Sequence, residues 1–363
     1  MTSGNRGGYY WRRFLTITII LLGIGLLMVP SASVAVRVQK YGIFYYFIRQ
    51  FIYILIGLGV LWLAYQLPVK FWRKFSFYLY ILLLLLLLVV LVRGSKIGGA
   101  RRWLDLGFFN FQPSQLMKLV LILVLANYLD RKRSRLKNFS ALFFPLLLTF
   151  IPIVLIARQP DIGIPALLFL VMLVLLFWAG VRLRYLFLFF LLILPLLVVE
   201  VKMHSYRLRR LAMFWEQISE GTAPVSWQVN QSILAIGSGG WFGKGLGQGQ
   251  IKLRYLPAPH TDFIFAVIGE ELGWLGSSSV VILFIVWAWW GLKIASGAPD
   301  FFSQLVVAGV VFIVFFQAVF NIMMSCGLLP TKGLPLPFIS FSGSELLVDM
   351  MAVGIIGRMA DEQ

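Results

Sequence analysis

The residue most able to do chemistry in this chain is Asp262, in the run His260-Thr261-Asp262-Phe263-Ile264-Phe265. A carboxylate beside hydrocarbon costs about 2.5 to 3.5 kcal/mol on insertion scales, so it is expected to face a cavity or a polar partner. Asp262 is therefore the leading candidate for a general base. A plainer role is compatible with that one: Thr261 or Asp262 could N-cap the helix running through Phe263, Ala266, Val267 and Glu270. Glu270 itself lies eight residues on, ~12 Å along one helix, which exceeds the ~5 to 9.5 Å between paired glycosidase carboxylates. A paired-carboxylate hydrolase is therefore not expected from these two acids.

Four further polar segments interrupt the apolar sequence. The first runs from Gly98 through Arg101, Arg102 and Asp105 to Gln112, Pro113, Ser114, Gln115 and Lys118. Pro113 suits a first helical turn, and Lys118 then sits about one and a half turns in, either as a buried site residue or snorkelling to the headgroups. Arg101 and Arg102 offer adjacent guanidinium forks for a phosphate, or simple interfacial anchors. The second, Arg158-Gln159-Pro160-Asp161, makes Asp161 a partner for Lys118, Arg102 or the nearby Arg158. The third has seven glycines between Gly237 and Gly249; it matches no dinucleotide or P-loop fingerprint and reads by default as a flexible loop. The fourth, from Asn321 through Thr331-Lys332-Gly333 to Ser340 and Ser344, is rich in Pro and Gly. It is expected to be re-entrant or loop-like, and covered by protein rather than facing lipid.

These groups must be positioned by membrane helices. The chain has 363 residues, 60% of them hydrophobic and 13% charged, with a mean hydropathy of +0.89, which excludes an ordinary soluble domain. The expected fold is an all-α polytopic membrane protein of about ten transmembrane helices, near residues 14–35, 44–66, 75–92, 113–128, 141–157, 162–179, 185–201, 264–292, 302–323 and 346–360. The fourth and tenth are the weakest spans, because they carry Lys118 and Asp349 with Arg358. The stretch from Phe14 to Val29 is expected to remain as helix one rather than act as a cleaved leader. We read 1–363 as one membrane domain with a long extracytoplasmic loop, 202–262, between helices 7 and 8. Basic short loops around Arg12, Arg73, Arg133 and Arg182 are expected in the cytoplasm, which places both termini there and the polar motifs outside. The net charge of +18 is dispersed between spans and forms no nucleic-acid module. One Cys and two His exclude an intrachain disulfide and a His/Cys metal cluster.

In order along the chain, the motifs Gly-Ala-Arg-Arg-Trp (99–103) with Gln-Pro-Ser-x-x-x-Lys (112–118), Gln-Pro-Asp-Ile-Gly (159–163), Ala-Ile-Gly-Ser-Gly-Gly (235–240), His-Thr-Asp-Phe-Ile-Phe-Ala (260–266) with Gly-Glu-Glu-Leu-Gly (269–273), and Leu-Pro-Thr-Lys-Gly-Leu-Pro-Leu-Pro-Phe-Ile-Ser (329–340) resemble the SEDS family (shape, elongation, division and sporulation). The resemblance spans nearly the whole chain and is closer to the division-type members than to the elongation-type ones. It implies a ten-helix peptidoglycan glycosyltransferase that polymerises lipid II at the outer face of the bacterial cytoplasmic membrane, alongside a class B penicillin-binding protein. The family's catalytic Asp falls on Asp262. The expected substrate contacts are Arg101, Arg102, Lys118, Asp161, His260, Thr261, Lys332 and Ser340. No cofactor is certain, although a divalent cation such as Mg or Mn could assist. Three departures stand out: Gln115 replaces a Glu, Ala258-Pro259 replaces part of Leu-Pro-Glu, and Ser340-Phe341-Ser342-Gly343-Ser344-Glu345 replaces Ser-Tyr-Gly-Gly-Ser-Ser.

Two other readings stay open at this level. Charged groups within a helical bundle also mark transport paths, so the chain could flip a lipid-linked oligosaccharide, although no inverted repeat is evident. The motif departures also allow a noncatalytic scaffold of the division machinery.

Overall fold

Long unbroken apolar runs form helices because only a helix pairs every backbone group within the segment that crosses lipid. The computed structural model describes residues 6–37, 44–97, 100–105, 107, 109–136, 138–159, 161, 163–191, 227–250 and 259–362. Its helices are α1 (Arg6–Arg37), α2 (Tyr45–Gln66), α3 (Val69–Arg93), α4 (Pro113–Arg131), α5 (Phe143–Ala157), α6 (Gly163–Trp178), α7 (residues 183–191), α8 (Trp227–Ser238), α9 (Ile264–Gly297), α10 (Phe301–Ser325) and α11 (Gly343–Asp361). Six of these, α1, α2, α3, α5, α9 and α10, are long and apolar enough to cross a membrane. The ten expected spans overlap ten of these helices, with the seventh described only over 183–191.

Two features depart from the sequence expectation. Strands β1 (Ser95–Ile97), β2 (Ala100–Asp105) and β3 (Asn110–Phe111) form a three-stranded antiparallel sheet between α3 and α4, so the fold is helical with one small sheet added. The long loop carries the short helix α8, while 202–226 and 251–258 lie outside the described residues.

The two weakest expected spans are the inner ones. Leu119 through Ala126 of α4 are all buried, as are most residues of α11. A helix covered on all sides needs no apolar face toward lipid, and its charges can meet partners on neighbouring helices.

Side-chain contacts sort the helix ends onto two faces. On one, Arg73 pairs with Asp130 at 3.2 Å and also with Asp300, Arg133 stacks on Phe301, and Trp11 packs at Gly357. On the other, Arg102 reaches the Gln159 carbonyl, Ser344 joins Asn110 and Gln112, and Asp262 meets Gly333. The alternation expected from the basic loops is the alternation of these contacts.

The connection from α10 to α11 dips into the bundle. Leu334, Leu336, Phe338, Ile339 and Ser340 are buried, and the Phe338 and Ile339 carbonyls lie only 2.8 Å from where a Cβ on Gly25 of α1 would stand. Phe338 holds φ 64, a conformation that surrounding packing must over-determine. The expected cover by protein is met at Leu334, Leu336 and residues 337–340, while Leu328 and Gly333 are exposed.

Candidate functional site

Asp262 sits in the turn 259–263 that precedes α9. The helix begins after Phe263 with no side-chain cap, so Asp262 is not consumed in capping. Burial pushes its carboxyl up to about 6, and the Glu345 carboxylate adds to the rise. The turn is held from two sides. Asn321 of α10 donates to the Asp262 carbonyl at 2.8 Å and to the Leu334 carbonyl at 2.7 Å. Ser340 donates to the Thr261 carbonyl at 2.6 Å, and the Phe341 amide donates to the His260 carbonyl at 2.9 Å. The His260 ring packs 4.6 Å from Tyr46 and 5.8 Å from Phe341. Three expected substrate contacts, His260, Thr261 and Ser340, thus form the frame of the Asp262 turn.

Two cations, Arg102 and Lys332, gather at the start of α6. Arg102, on β2, lies 3.9 Å from Asp161 and donates to the Gln159 carbonyl at 3.1 Å. Asp161 accepts from the Gly163 amide at 2.9 Å, closing the first turn of α6. A Cβ on Gly163 would meet Lys332 Cε at 2.6 Å and Nζ at 3.2 Å, so the Lys332 side chain lies over that same turn. Gly333, the next residue, lies directly against the Asp262 carboxylate. Arg102, Asp161 and Lys332 therefore gather in a strip at the start of α6, which reaches Asp262 through the backbone of Gly333. Below Lys332 an apolar recess of about 250 Å³ opens between α5, α6 and α10, lined by Leu167, Phe169, Leu173, Phe316 and Phe320. Arg101 is exposed and donates to the Val92 carbonyl at the end of α3, so the structure does not bring it into this strip.

Lys118 is 4% exposed and does not snorkel. Its ammonium lies 3.1 Å from Glu345 and 3.0 Å from Gln317 Oε1, so its acidic partner is Glu345 rather than Asp161. Gln317 hydrogen-bonds Glu345 and, at 3.0 Å, the Pro335 carbonyl. Asp349, one turn along α11 from Glu345, lines the same narrow space as Lys118 and Gln317.

The glycine-rich loop is a structural fastening. A Cβ on Gly239 would stand 2.0 Å from the Gly269 carbonyl oxygen, and one on Gly243 2.1 Å from that of Glu271. The Lys244 and Gly245 amides donate to the Glu270 and Glu271 carbonyls, each at 3.0 Å. At this contact α9 breaks at Gly273 (φ 67, ψ −161), which frees those carbonyls. Glu270 takes Lys244 at 2.9 Å, and Glu271 takes Ser31 at 2.7 Å. Glu270 is therefore engaged structurally, with Lys244 as its partner. Lys252 and Arg254 lie outside the described residues.

Sequence reasoning passed over Gln317 and Asn321 as site residues and treated Glu345 only as a departure from a pattern. A signal was available: Gln317 with Asn321, and Glu345 with Asp349, are polar pairs at i, i+4 on otherwise apolar helices, each pair marking one face. Among the described residues no three His, Cys, Asp or Glu side chains gather to hold a metal ion.

The cell cycle protein family, FtsW/RodA/SpoVE, matches residues 12–363. The chain is 40% identical over 356 residues to the probable peptidoglycan glycosyltransferase FtsW of Coxiella burnetii, covering 95% of this chain and 94% of that one. It is 37% identical over 349 residues to the stage V sporulation protein E of Bacillus subtilis, covering 94% of each. Among solved structures, one from a peptidoglycan synthase complex, described as coordinating polymerization and crosslinking, aligns with a TM-score of 0.81 at 26% identity over 96% of this chain and 97% of that one. The rod shape determining protein RodA of Thermus thermophilus aligns with a TM-score of 0.71 at 27% identity, over 96% and 95%.

Proposed function

The chain belongs to the FtsW/RodA/SpoVE family, and from that membership we infer that the strip around Asp262 is its polymerising site. The protein is a multi-pass membrane peptidoglycan glycosyltransferase, more similar in sequence to FtsW than to RodA. The donor we assign is lipid II. In the step proposed here, the acceptor sugar hydroxyl attacks the donor's anomeric carbon as the bond from that carbon to the pyrophosphate oxygen breaks. The electron pair leaves with undecaprenyl pyrophosphate, and the hydroxyl proton passes to Asp262.

The observation that carries this reading is the cluster of Arg102, Asp161 and Lys332 at the start of α6, joined to Asp262 through the backbone of Gly333. A carboxyl that titrates near 6 is mostly ionised at neutral pH yet basic enough to take a proton in the transition state. Lys332 and Arg102 supply positive charge on the side where the pyrophosphate would depart, with Arg102 held in place by Asp161. The apolar recess under Lys332 has the chemistry to receive part of an isoprenoid chain. Neither transport nor scaffolding calls for a poised base with cations on one flank.

We place this face outside the cytoplasmic membrane, since the basic short loops gather on the other. We assign a crosslinking partner, a class B penicillin-binding protein, to the outer loop, where Trp227, Trp241 and Phe242 are exposed and aromatic side chains favour an interface. Trp215 lies outside the described residues. The test of function is turnover of purified lipid II by the protein with its partner, read as glycan length on a gel. Glycan strands are expected, and their absence with an active partner would return the transport and scaffold readings. Replacing Trp241 and Phe242 by Ala should weaken copurification of the partner, and unchanged recovery would move that contact elsewhere.

A further inference from the structure

We propose that Glu345 is a positioning residue for polymerisation: it anchors Lys118 and, through Gln317, the re-entrant segment that lies against Asp262. The proposal rests on Asp262 being the base.

The connection is a chain of contacts. Glu345 Oε1 accepts from Lys118 at 3.1 Å and from Gln317 Nε2. The same Nε2 donates to the Pro335 carbonyl at 3.0 Å, and Gln317 Oε1 accepts from Lys118, so both ends of the amide are assigned by charged neighbours. Asn321, one turn further along α10, holds the Leu334 and Asp262 carbonyls. Two amides on one face of α10 therefore grip both the segment and the turn, and Glu345 orients the first of them.

The sequence supports the assignment independently. No acid lies within a turn of Lys118 on α4, where the residue three positions before it is Gln115. Gln115 is buried, and its Oε1 has no hydrogen-bond partner among the described residues. A buried ammonium needs a carboxylate. In this chain that carboxylate comes from α11, and its charge also reaches Asp262. Lys118 from α4, Asp262 from the turn before α9 and Asp349 on its own helix are the charged groups around it. Its negative charge contributes to the raised proton affinity of Asp262.

The experiment is a relocation of charge. Glu345→Gln keeps size and hydrogen bonding but removes the charge. Lipid II turnover should fall about 10-fold or more, and the acid limb of its pH profile should move to lower pH, because Asp262 loses a neighbouring anion. Adding Gln115→Glu should return the rate to within about threefold of the parent. Glu345→Asp, which keeps the charge but retracts it from Lys118, should lower the rate without moving the limb, and it serves if the Gln variant fails to fold. A Glu345→Gln protein with a lower melting temperature but an unmoved pH limb would make the pair merely structural and overturn the proposal. So would failure of Gln115→Glu to restore turnover. Asp262→Asn, assayed in parallel, separates the two ideas: normal turnover there removes the base itself, whereas an inactive Asp262→Asn beside a normal Glu345→Gln removes only Glu345.

Discussion

Gly333 lies so close to Asp262 that a methyl group on its Cα would stand 3.0 Å from Oδ2 and 3.6 Å from Cγ. The Thr331-Lys332-Gly333 segment thus passes close to the carboxylate by leaving out a side chain. Gly333→Ala should make the carboxylate give by a few tenths of an ångström while leaving both helices in place. Catalysis is sensitive to small misplacements, so a drop of about 10-fold in lipid II turnover is expected with an unchanged melting temperature. Normal turnover would mean that the contact does not position the base.

Asp262→Asn should fold, reach the membrane and bind its partner, yet polymerise about 100-fold or more slowly, the scale of a general base. The pH dependence carries its own sign. The folded-state value of about 6 lies above the ordinary 3.8, so the folded protein binds the Asp262 proton more tightly than the unfolded chain does. The stability this confers is complete below pH 3.8 and is lost as pH rises through 6. Turnover should rise with pH through about 6, and thermal melts at pH 8 should find Asp262→Asn no less stable than the parent. A marked loss of stability at pH 8 would give the ionised carboxylate a structural role instead.

Lys118→Ala is expected to lose stability as well as activity. It leaves Glu345 and Asp349 facing each other in the bundle without their cation, and breaking a buried pair from one side costs about 3 to 5 kcal/mol. Arg102, with a side chain 28% exposed, should tolerate Ala in melting experiments while turnover falls. Equal melting temperatures for the two variants would contradict the burial of Lys118.

The glycine loop gives a paired comparison. Gly243→Ala places a methyl 2.1 Å from the Glu271 carbonyl, whereas Gly247, with a similar positive φ of 81, has nothing within 4 Å. Both variants carry conformational strain, but only the first also forces the loop off α9. The Gly243 variant should melt at a clearly lower temperature than the Gly247 variant, and the reverse order would deny that the loop is fastened there.

The two faces can be read by labelling. A cysteine at Phe242, 82% exposed, should react with an impermeant thiol reagent in intact cells, and one at Arg133 should not. The opposite pattern would invert the proposed orientation.

The class of fold was legible in the sequence, and Asp262 stood out there as a candidate, because both readings depend on local cost. Long apolar runs can only be helices in lipid, and an acid beside them announces itself. Polar motifs in order gave the family for a similar reason, since each is a contiguous segment. What could not be read was pairing. Lys118 was matched with Asp161 but joined Glu345, 227 positions away, because which inner helices touch is set by packing among many apolar faces of nearly equal hydrophobicity. Gln317 lay unmarked on an apolar helix, and Asn321 marked only the start of a polar segment, until that segment was laid against the helix. The glycines between Gly237 and Gly249 suggested close approach, but only the tertiary structure decided that the thing approached was the broken turn of α9 at Gly273. Local cost is written residue by residue; the choice of partner is made where helices meet.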